Sequence, residues 1–254
     1  MVEQLISLSG SAELEEIGGK ARNLMDLMAA GFPVPEGMVV GAKAYDAFLE
    51  RNGLKERIRK ALEGLDYSDA VKLVRAAETI RGWVMAGEMD SALTEALLRD
   101  TERYGADSLW AVRSSAIAED LEQASFAGQQ DTYLNVARPR LAEQVKRCWA
   151  SYWNDRVLEY RHDNGIGHLD SGMAVIVQRM VNADSSGVMF TADPVSGEKI
   201  IIIESSWGLG ESIASGLVTP DRFVCDAGDG GVKESVINSK VQAIFLSPEG
   251  EKVV

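Results

Sequence analysis

Short apolar runs bounded by glycine, serine and charged residues indicate strands at five places in the chain. They lie at residues 38–40, 110–112, 131–136, 173–178 and 199–204. The runs MAVIVQ (173–178) and KIIIIE (199–204) are apolar almost throughout, which is typical of strands buried on both faces. These strands are interspersed with segments of helical periodicity, so the pattern predicts an α+β protein.

Helical periodicity dominates the segment from residue 42 to residue 105. Glycines at positions 53, 64 and 87 divide it into several helices, for which Ser68 and Asp90 are the predicted N-caps. We interpret this segment as supporting core without chemistry of its own. One apolar stripe at helical spacing consists of Val71, Val74, Ala77, Ile80 and Val84.

Two further helices are predicted outside that segment. The first follows Gly18-Gly19-Lys20 and ends at Gly31. The second begins at Pro139 and continues to about residue 164. The predicted apolar face of the first helix consists of Leu24, Leu27 and Met28, and that of the second of Leu141, Val145, Cys148 and Tyr152, with Trp149 and Trp153 beside it.

Composition narrows the class of protein. The 254 residues have 46% hydrophobic and 26% charged side chains, as expected for a globular chain with a substantial core. A net charge of −13 argues against a nucleic-acid surface. Two cysteines without C-x-x-C spacing, no signal-peptide pattern and no long apolar run favour a cytoplasmic protein with reduced thiols.

A loop of small residues connects the strands predicted at 110–112 and 131–136. Arg113 follows the first strand, and the loop SFAGQQ occupies residues 125–130. Backbone N–H groups of such a loop can cradle phosphates, and Arg113 would add a forked cation beside them. A structural hairpin in which Arg113 pairs with Glu119 or Asp120 is the alternative, and the residues alone do not decide between the two.

Lys20 is a second candidate phosphate ligand. Gly18-Gly19-Lys20 at a helix start could place an ammonium group and helix amides against an anion. The segment is not a P-loop, because Ala21 replaces the required Ser or Thr and Leu14 stands where the first glycine should be. On this evidence alone, Lys20 could equally be a solvated lysine at a helix start.

Four phrases of the sequence together are more specific than any single pattern. They are GGKARNLMDLMAAGFPVPEGMVV (18–40), WAVRSSAIAEDLEQASFAGQQDTYLNV (110–136), SGVMFTADP (186–194) and WGLGE (207–211). In these phrases the chain resembles the nucleotide-binding domain shared by phosphoenolpyruvate synthases, pyruvate phosphate dikinases and rifampicin phosphotransferases. The resemblance implies an ATP-grasp fold, in which two α+β lobes clasp ATP. Residues 1–177 would form the N-terminal lobe with a helical insert at about 42–105, and residues 178–254 an incomplete C-terminal lobe.

The resemblance also implies which residues contact ATP. Lys20 and Arg113 would bind its phosphates, and the loop between the two strands would cover them. The hinge between the lobes would read the adenine edge, although an ordinary strand end is the alternative there. The residues implied in the loop are Ser125, Ala127, Gly128 and Gln129, and those implied in the hinge are Gln178, Met180 and Val181.

Glu211 is the acidic residue implied at the nucleotide. The glycines before it suggest a dinucleotide-binding fingerprint, but the third glycine of that motif falls on Ile213, so the fingerprint fails. The resemblance instead implies that the Glu211 carboxylate accepts hydrogen bonds from ribose hydroxyls. A helix-start glutamate that complements the helix dipole is the alternative.

The implied activity is phosphoryl transfer from ATP, through a phosphohistidine carrier domain, to an acceptor such as pyruvate, rifampicin or a glucan. Neither His162 nor His168 has the Thr/Gly/Ser-rich context of the carrier histidine, so carrier and acceptor domains are expected outside this chain. The magnesium ligands are expected beyond Val254, because the family's Q-S-R-P phrase is missing, and we expect the isolated chain to be inactive. A stand-alone ATP-binding or regulatory module is the alternative function.

Overall fold

The computed structural model describes residues 4–117, 131–170, 172–247 and 250–254. The chain divides into two units, residues 1–180 and 181–254. The helices of the first unit are α1 (Leu14–Ala29), α2 (Ala42–Arg51), α3 (Leu54–Leu62), α4 (Ala70–Ala86), α5 (Ser91–Glu102), α6 (Leu141–Ser151) and α7 (Asp155–Asp163). Its strands are β1 (Leu5–Ser7), β2 (Gly37–Val40), β3 (Leu109–Ala116), β4 (Thr132–Ala137) and β5 (Met173–Arg179).

The described strands of the first unit form one antiparallel sheet in the order β1-β2-β5-β3-β4. β5 lies at its centre and pairs with β2 on one side and β3 on the other. Residues 173–178 of β5 are all buried. The prediction that this apolar run is a strand buried on both faces is therefore confirmed.

The two faces of this sheet carry different helices. Residues directly opposite each other in antiparallel strands point to the same face. The face that includes Val39, Ala174 and Ile176 packs against α1. The other face, which includes Val112 and Val175, packs against buried side chains of α2 to α7. The mixed helix and sheet content agrees with the predicted α+β class.

The hairpin that carries Arg113 differs from the prediction in one respect. The two predicted strands are present, and as β3 and β4 they pair in antiparallel orientation. However, β3 does not end at Val112 but continues to Ala116, because Arg113 to Ala116 pair with β5. Arg113 therefore lies inside a strand and not after one.

The N-cap and the buried face of α4 also differ from the prediction. The N-cap of α4 is Asp69 and not Ser68, because the Asp69 carboxylate accepts hydrogen bonds from Val71 N and Lys72 N. Asp90 caps α5 as predicted. Val71 and Val74 are exposed and were wrongly assigned to the apolar stripe, since the buried face of α4 consists of Leu73, Ala77, Ile80 and Val84.

The single long helix predicted after Pro139 is two helices. α6 ends at Ser151, and α7 begins at Asp155 after Asn154, whose backbone is extended (φ −62°, ψ 146°). An extended residue interrupts the helical hydrogen-bond ladder, so one helix cannot continue through it. The predicted buried stripe of α6, with its neighbouring aromatic side chains, is confirmed.

The second unit is described by itself. Its elements are β6 (Ser185–Phe190), β7 (Ile200–Trp207), α8 (Glu211–Ala214), β8 (Asp221–Asp226), β9 (Val232–Val236), β10 (Ile244–Ser247) and β11 (Gly250–Val253). β6 to β9 form an antiparallel sheet in chain order, and β10 and β11 form a hairpin. The prediction that the KIIIIE segment (199–204) is a strand buried on both faces is wrong. Ile202 is buried, but Ile200, Ile201 and Ile203 are only half-buried.

Both cysteines, Cys148 and Cys225, are buried free thiols. Among the described helices, none combines the length and the hydropathy that crossing a bilayer would require.

Candidate functional site

Arg113 and Ser115 lie on the sheet face that α1 covers. In the antiparallel register, Arg113 is opposite Ile176 and Ser115 is opposite Ala174. Ala174 and Ile176 belong to the apolar cluster around α1. Two of the predicted motifs, which are nearly a hundred residues apart in the sequence, therefore meet on one side of the sheet.

α1 begins before the Gly18-Gly19-Lys20 motif and is kinked within it. The helix runs from Leu14, and its regular backbone is interrupted at Gly18 (φ 71°, ψ 164°). A Cβ atom at Gly18 would lie 2.6 Å from the Ser115 carbonyl oxygen and 2.7 Å from Ser115 Oγ. Only glycine fits this position, because it needs both a positive φ and close approach to β3.

The face of α1 after the kink agrees only in part with the predicted face. Leu24 and Met28 are partly buried against the cluster around α1, as expected. Leu27 is 43% exposed, so its assignment to the apolar face is wrong. The fully buried positions are instead Ile17 and Ala21, which are nearest the kink.

The Ser115 hydroxyl links the two sides of this kink. Its Oγ donates to the Ile17 carbonyl oxygen at 2.8 Å and accepts from Ala21 N at 3.3 Å. Sequence analysis missed this contact, although the alternation of side chains along a strand places Ser115 on the same face as Arg113. Nothing in the local sequence indicates which helix that face meets.

Lys20 follows the kink, and its side chain is exposed. Burial, and to a smaller extent the charge of Asp131, raise the pKa of the Cys148 thiol. The positive charge of Lys20 opposes this rise. Cys148 Sγ lies 3.9 Å from the Asp131 carbonyl oxygen, next to the start of β4. The ammonium group of Lys20 is therefore within electrostatic range of the end of the sheet where β4 begins.

Arg113 is a cation without a counter-ion in the described part of the chain. It is opposite Thr132 at the start of β4, and its side chain is partly buried. Burial lowers the pKa of its guanidinium group, and no hydrogen bond or ion pair joins it to a described residue. A charge removed from water without a partner is costly, so this position suits an anion. Glu119 and Asp120, the partners in the alternative interpretation, lie outside the described residues.

The loop ligands implied by the resemblance are not described by the structure. Ser125, Ala127, Gly128 and Gln129 all lie within residues 118–130. The C-terminal end of this loop nevertheless meets β4 beside Arg113, because Arg113 is opposite Thr132.

The predicted adenine-reading residues lie at the end of β5. Gln178 is buried, and its side-chain Nε2 donates to the Pro35 carbonyl oxygen at 2.9 Å. Met180 N donates to the Leu109 carbonyl oxygen at 2.9 Å, beyond the last paired residue of the strand. Val181 is 56% exposed and is the first residue of the second unit.

Glu211 lies in the first turn of α8 and is half-buried. The W-G-L-G turn before it is tightly constrained. Gly208 has φ 73°, and a Cβ there would collide with the Ile244 carbonyl oxygen, to which Leu209 N donates at 2.7 Å. The glycine therefore allows β10 to lie against the segment that carries Glu211.

Two serines that sequence analysis did not single out lie near this turn. Ser186 and Ser206 are opposite each other on β6 and β7, and each buried hydroxyl has no hydrogen-bond partner among the described residues. A Cβ at Gly210 would lie 3.6 Å from Ser186 Oγ. The separation of the two serines in the sequence does not predict that they lie opposite each other, because this depends on the register between β6 and β7.

A match to a family model covers residues 14–254, and its description is "Pyruvate phosphate dikinase, AMP/ATP-binding domain". The chain belongs to this family. It is 44% identical over 248 residues to a probable phosphoenolpyruvate synthase of Staphylothermus marinus, covering 94% of this chain and 30% of that protein. It is 44% identical over 241 residues to a phosphoenolpyruvate synthase of Aeropyrum pernix, covering 92% of this chain and 29% of that protein.

A probable phosphoenolpyruvate synthase of Archaeoglobus fulgidus is 46% identical over 229 residues, covering 88% of this chain and 30% of that protein. The chain thus spans about 30% of the length of these relatives. It corresponds to the ATP-binding portion of a phosphoenolpyruvate synthase-like protein, as the resemblance implied.

The close approach of α1 to β3 predicts different costs for two glycine substitutions. Gly18→Ala and Gly53→Ala both place a side chain at positive φ, 71° and 62°. Each should lose about 1–2 kcal/mol of unfolding free energy for that reason. Gly18→Ala should lose about 1–3 kcal/mol more, because its Cβ meets Ser115, whereas nothing lies within 4 Å of the Cβ at Gly53.

Urea unfolding followed by circular dichroism measures both losses on the same scale. Gly53→Ala is the control for a positive-φ glycine without a close contact. The backbone of Gly53 is left-handed helical (φ 62°, ψ 27°), whereas that of Gly18 (φ 71°, ψ 164°) is nearly exclusive to glycine and adds to the loss in Gly18→Ala. Equal losses in the two variants would contradict the close contact between Gly18 and Ser115.

Proposed function

We propose that this chain is the ATP-binding part of a phosphoenolpyruvate synthase-like phosphotransferase, with an ATP-grasp fold whose two lobes are the two units. The observation that supports this most directly is the partly buried guanidinium of Arg113, which lies on the sheet face that α1 covers and has no counter-ion among the described residues. A family whose description names both AMP and ATP supports the nucleotide.

Lys20 and Arg113 bind the phosphate chain in this proposal. Phosphoryl transfer depends mainly on positioning and on neutralising negative charge, and both cations supply these. Partial burial makes Arg113 a strong ligand, because a charge-assisted hydrogen bond is screened less there than in bulk water. Lys20, at the kink of α1, approaches the same end of the sheet and contributes a more mobile point charge.

The remaining contacts are assigned by the same proposal. The backbone N–H groups of Ser125, Ala127, Gly128 and Gln129 cover the phosphates. The strand end at Gln178, Met180 and Val181 binds the adenine edge, and Glu211 accepts hydrogen bonds from the ribose hydroxyls. Gln178 supports the base site through its bond to Pro35, which fixes the end of β5.

In the whole protein, we propose that the β-phosphoryl group of ATP passes to the histidine of a carrier domain and then to pyruvate. The γ-phosphoryl group passes to water and leaves as inorganic phosphate, so that AMP is the nucleotide product. Release of AMP by such a reaction agrees with a domain whose description names AMP as well as ATP. Because carrier and acceptor are proposed to lie in other domains, the 254-residue chain should bind ATP without turning it over.

Magnesium is the metal expected from the resemblance, and when bound it would neutralise charge on the phosphates. Among the described residues, no three His, Cys, Asp or Glu side chains lie close enough together to hold a metal ion.

Base recognition at a strand end predicts selectivity for ATP over GTP. Adenine and guanine present opposite donor and acceptor groups at the six-position, so GTP would leave polar groups unpaired at about 1–3 kcal/mol. We expect GTP to bind about ten- to a hundredfold more weakly than ATP. Isothermal titration calorimetry with each nucleotide measures this, and equal dissociation constants would contradict the assignment of residues 178–181.

Removal of either phosphate cation should weaken ATP binding without unfolding the protein. A hydrogen bond to a charged group contributes about 1.5–3 kcal/mol. Lys20→Ala and Arg113→Ala should therefore each raise the ATP dissociation constant about ten- to a hundredfold. Calorimetry measures the constants, and circular dichroism confirms that the variants remain folded.

Matched controls for these variants lie on the helices of the opposite sheet face. Lys60 on α3 and Arg99 on α5 are exposed and pair with Glu56 and Asp100. Lys60→Ala and Arg99→Ala remove the same charges and should leave ATP affinity unchanged. If folded Lys20→Ala and Arg113→Ala also bind like the parent, the phosphate site has been assigned wrongly.

A further inference from the structure

The hydroxyl of Ser115 is inserted into the hydrogen-bond ladder of α1. In a regular α-helix, Ala21 N would donate directly to the carbonyl oxygen of Ile17, four residues earlier. Here Ser115 Oγ accepts from Ala21 N at 3.3 Å and donates to Ile17 O at 2.8 Å. A side chain inserted between the two ends of a helical bond is a recognised cause of a kink.

No solvent is available to replace this hydroxyl. Ser115 is 0% exposed, and Ile17 and Ala21 are likewise fully buried. Substitution by alanine would leave one buried N–H donor and one buried carbonyl acceptor without partners. To satisfy these two groups, α1 would have to form the regular helical hydrogen bond from Ala21 N to Ile17 O, or shift away from β3.

The two backbone groups bound by Ser115 bracket Lys20 in the sequence. Lys20 directly precedes Ala21, so its backbone lies in the span whose two ends Ser115 holds. Ser115 lies two residues after Arg113 on the same strand and points to the same face. One buried hydroxyl therefore joins the backbone of one candidate phosphate cation to the strand that carries the other.

We propose that Ser115 is a positioning residue for phosphate binding, which holds Lys20 at a fixed separation from Arg113. This inference rests on the proposed function, since it requires Lys20 to contact the phosphates. Ser115 itself is buried beneath α1 and acts only through the backbone of the helix. Loss of its hydroxyl should release the kink and move Lys20 relative to Arg113, with Arg113 and the sheet left in place.

The test is a double-mutant cycle between Ser115 and Lys20, read out as ATP affinity by calorimetry. Ser115→Ala alone should raise the ATP dissociation constant about three- to tenfold, the effect of losing one ordinary hydrogen bond. In a Lys20→Ala background, the same change should raise it less than about twofold, because the residue being positioned is gone.

Ser151→Ala is the matched control. Ser151 is 2% exposed, and its Oγ donates to the Cys148 carbonyl oxygen at 2.7 Å within α6, on the other face of the sheet. Its loss should lower the melting temperature and leave ATP affinity unchanged. If Ser115→Ala behaves in the same way, Ser115 is purely structural and the inference is wrong.

Two further outcomes would also decide the question. If Ser115→Ala weakens ATP binding equally in the parent and Lys20→Ala backgrounds, Ser115 does not act through Lys20 and the inference is overturned. If Ser115→Ala does not fold, Ser115→Cys replaces it in the cycle, with a weaker donor of similar shape, and the same coupling to Lys20 is required. An unchanged affinity in Lys20→Ala alone would overturn the proposed phosphate ligand itself, which separates that failure from a failure of Ser115.

Discussion

The contact between Gly18 and Ser115 is the constraint on which the candidate site depends. Gly18 has positive φ and no room for a Cβ atom, so α1 can approach β3 to within bonding distance of the serine. The serine hydroxyl then satisfies the two backbone groups that the kink leaves open. Together with the apolar packing of α1 on the sheet, this contact fixes the backbone around Lys20 relative to the strand that carries Arg113.

The sheet supplies the other half of the arrangement. Because β5 pairs with β3 along Arg113 to Ala116, the arginine is held in the interior of a strand and is partly withdrawn from water. No described residue neutralises this charge, and an anion bound there would offset the cost of its partial burial. Partial desolvation of a cation held inside a strand is a feature of the preorganised anion site that we propose.

Local patterns predicted the elements better than they predicted the contacts between them. β5 and the buried stripe of α6 follow from apolar periodicity, which is a property of neighbouring residues. The extension of β3 past Val112 depends on pairing with residues of β5 that lie some sixty positions later in the chain. The break between α6 and α7 depends on the extended backbone of a single residue, Asn154. The role of Ser115 could not be foreseen, since a serine in a strand does not indicate which helix will kink around it. The family resemblance pointed to Lys20 and Arg113 as ligands, whereas the contact between α1 and the strand that carries Arg113 is visible only in three dimensions.

A crystal structure of this chain with a non-hydrolysable ATP analogue tests the central claim most directly. Phosphate oxygens are expected at about 3 Å from both the Lys20 ammonium and the Arg113 guanidinium. The two hydrogen bonds of Ser115 to Ile17 and Ala21 should remain intact in the complex. An analogue whose phosphates lie elsewhere, with both cations in contact only with solvent or protein, would contradict it.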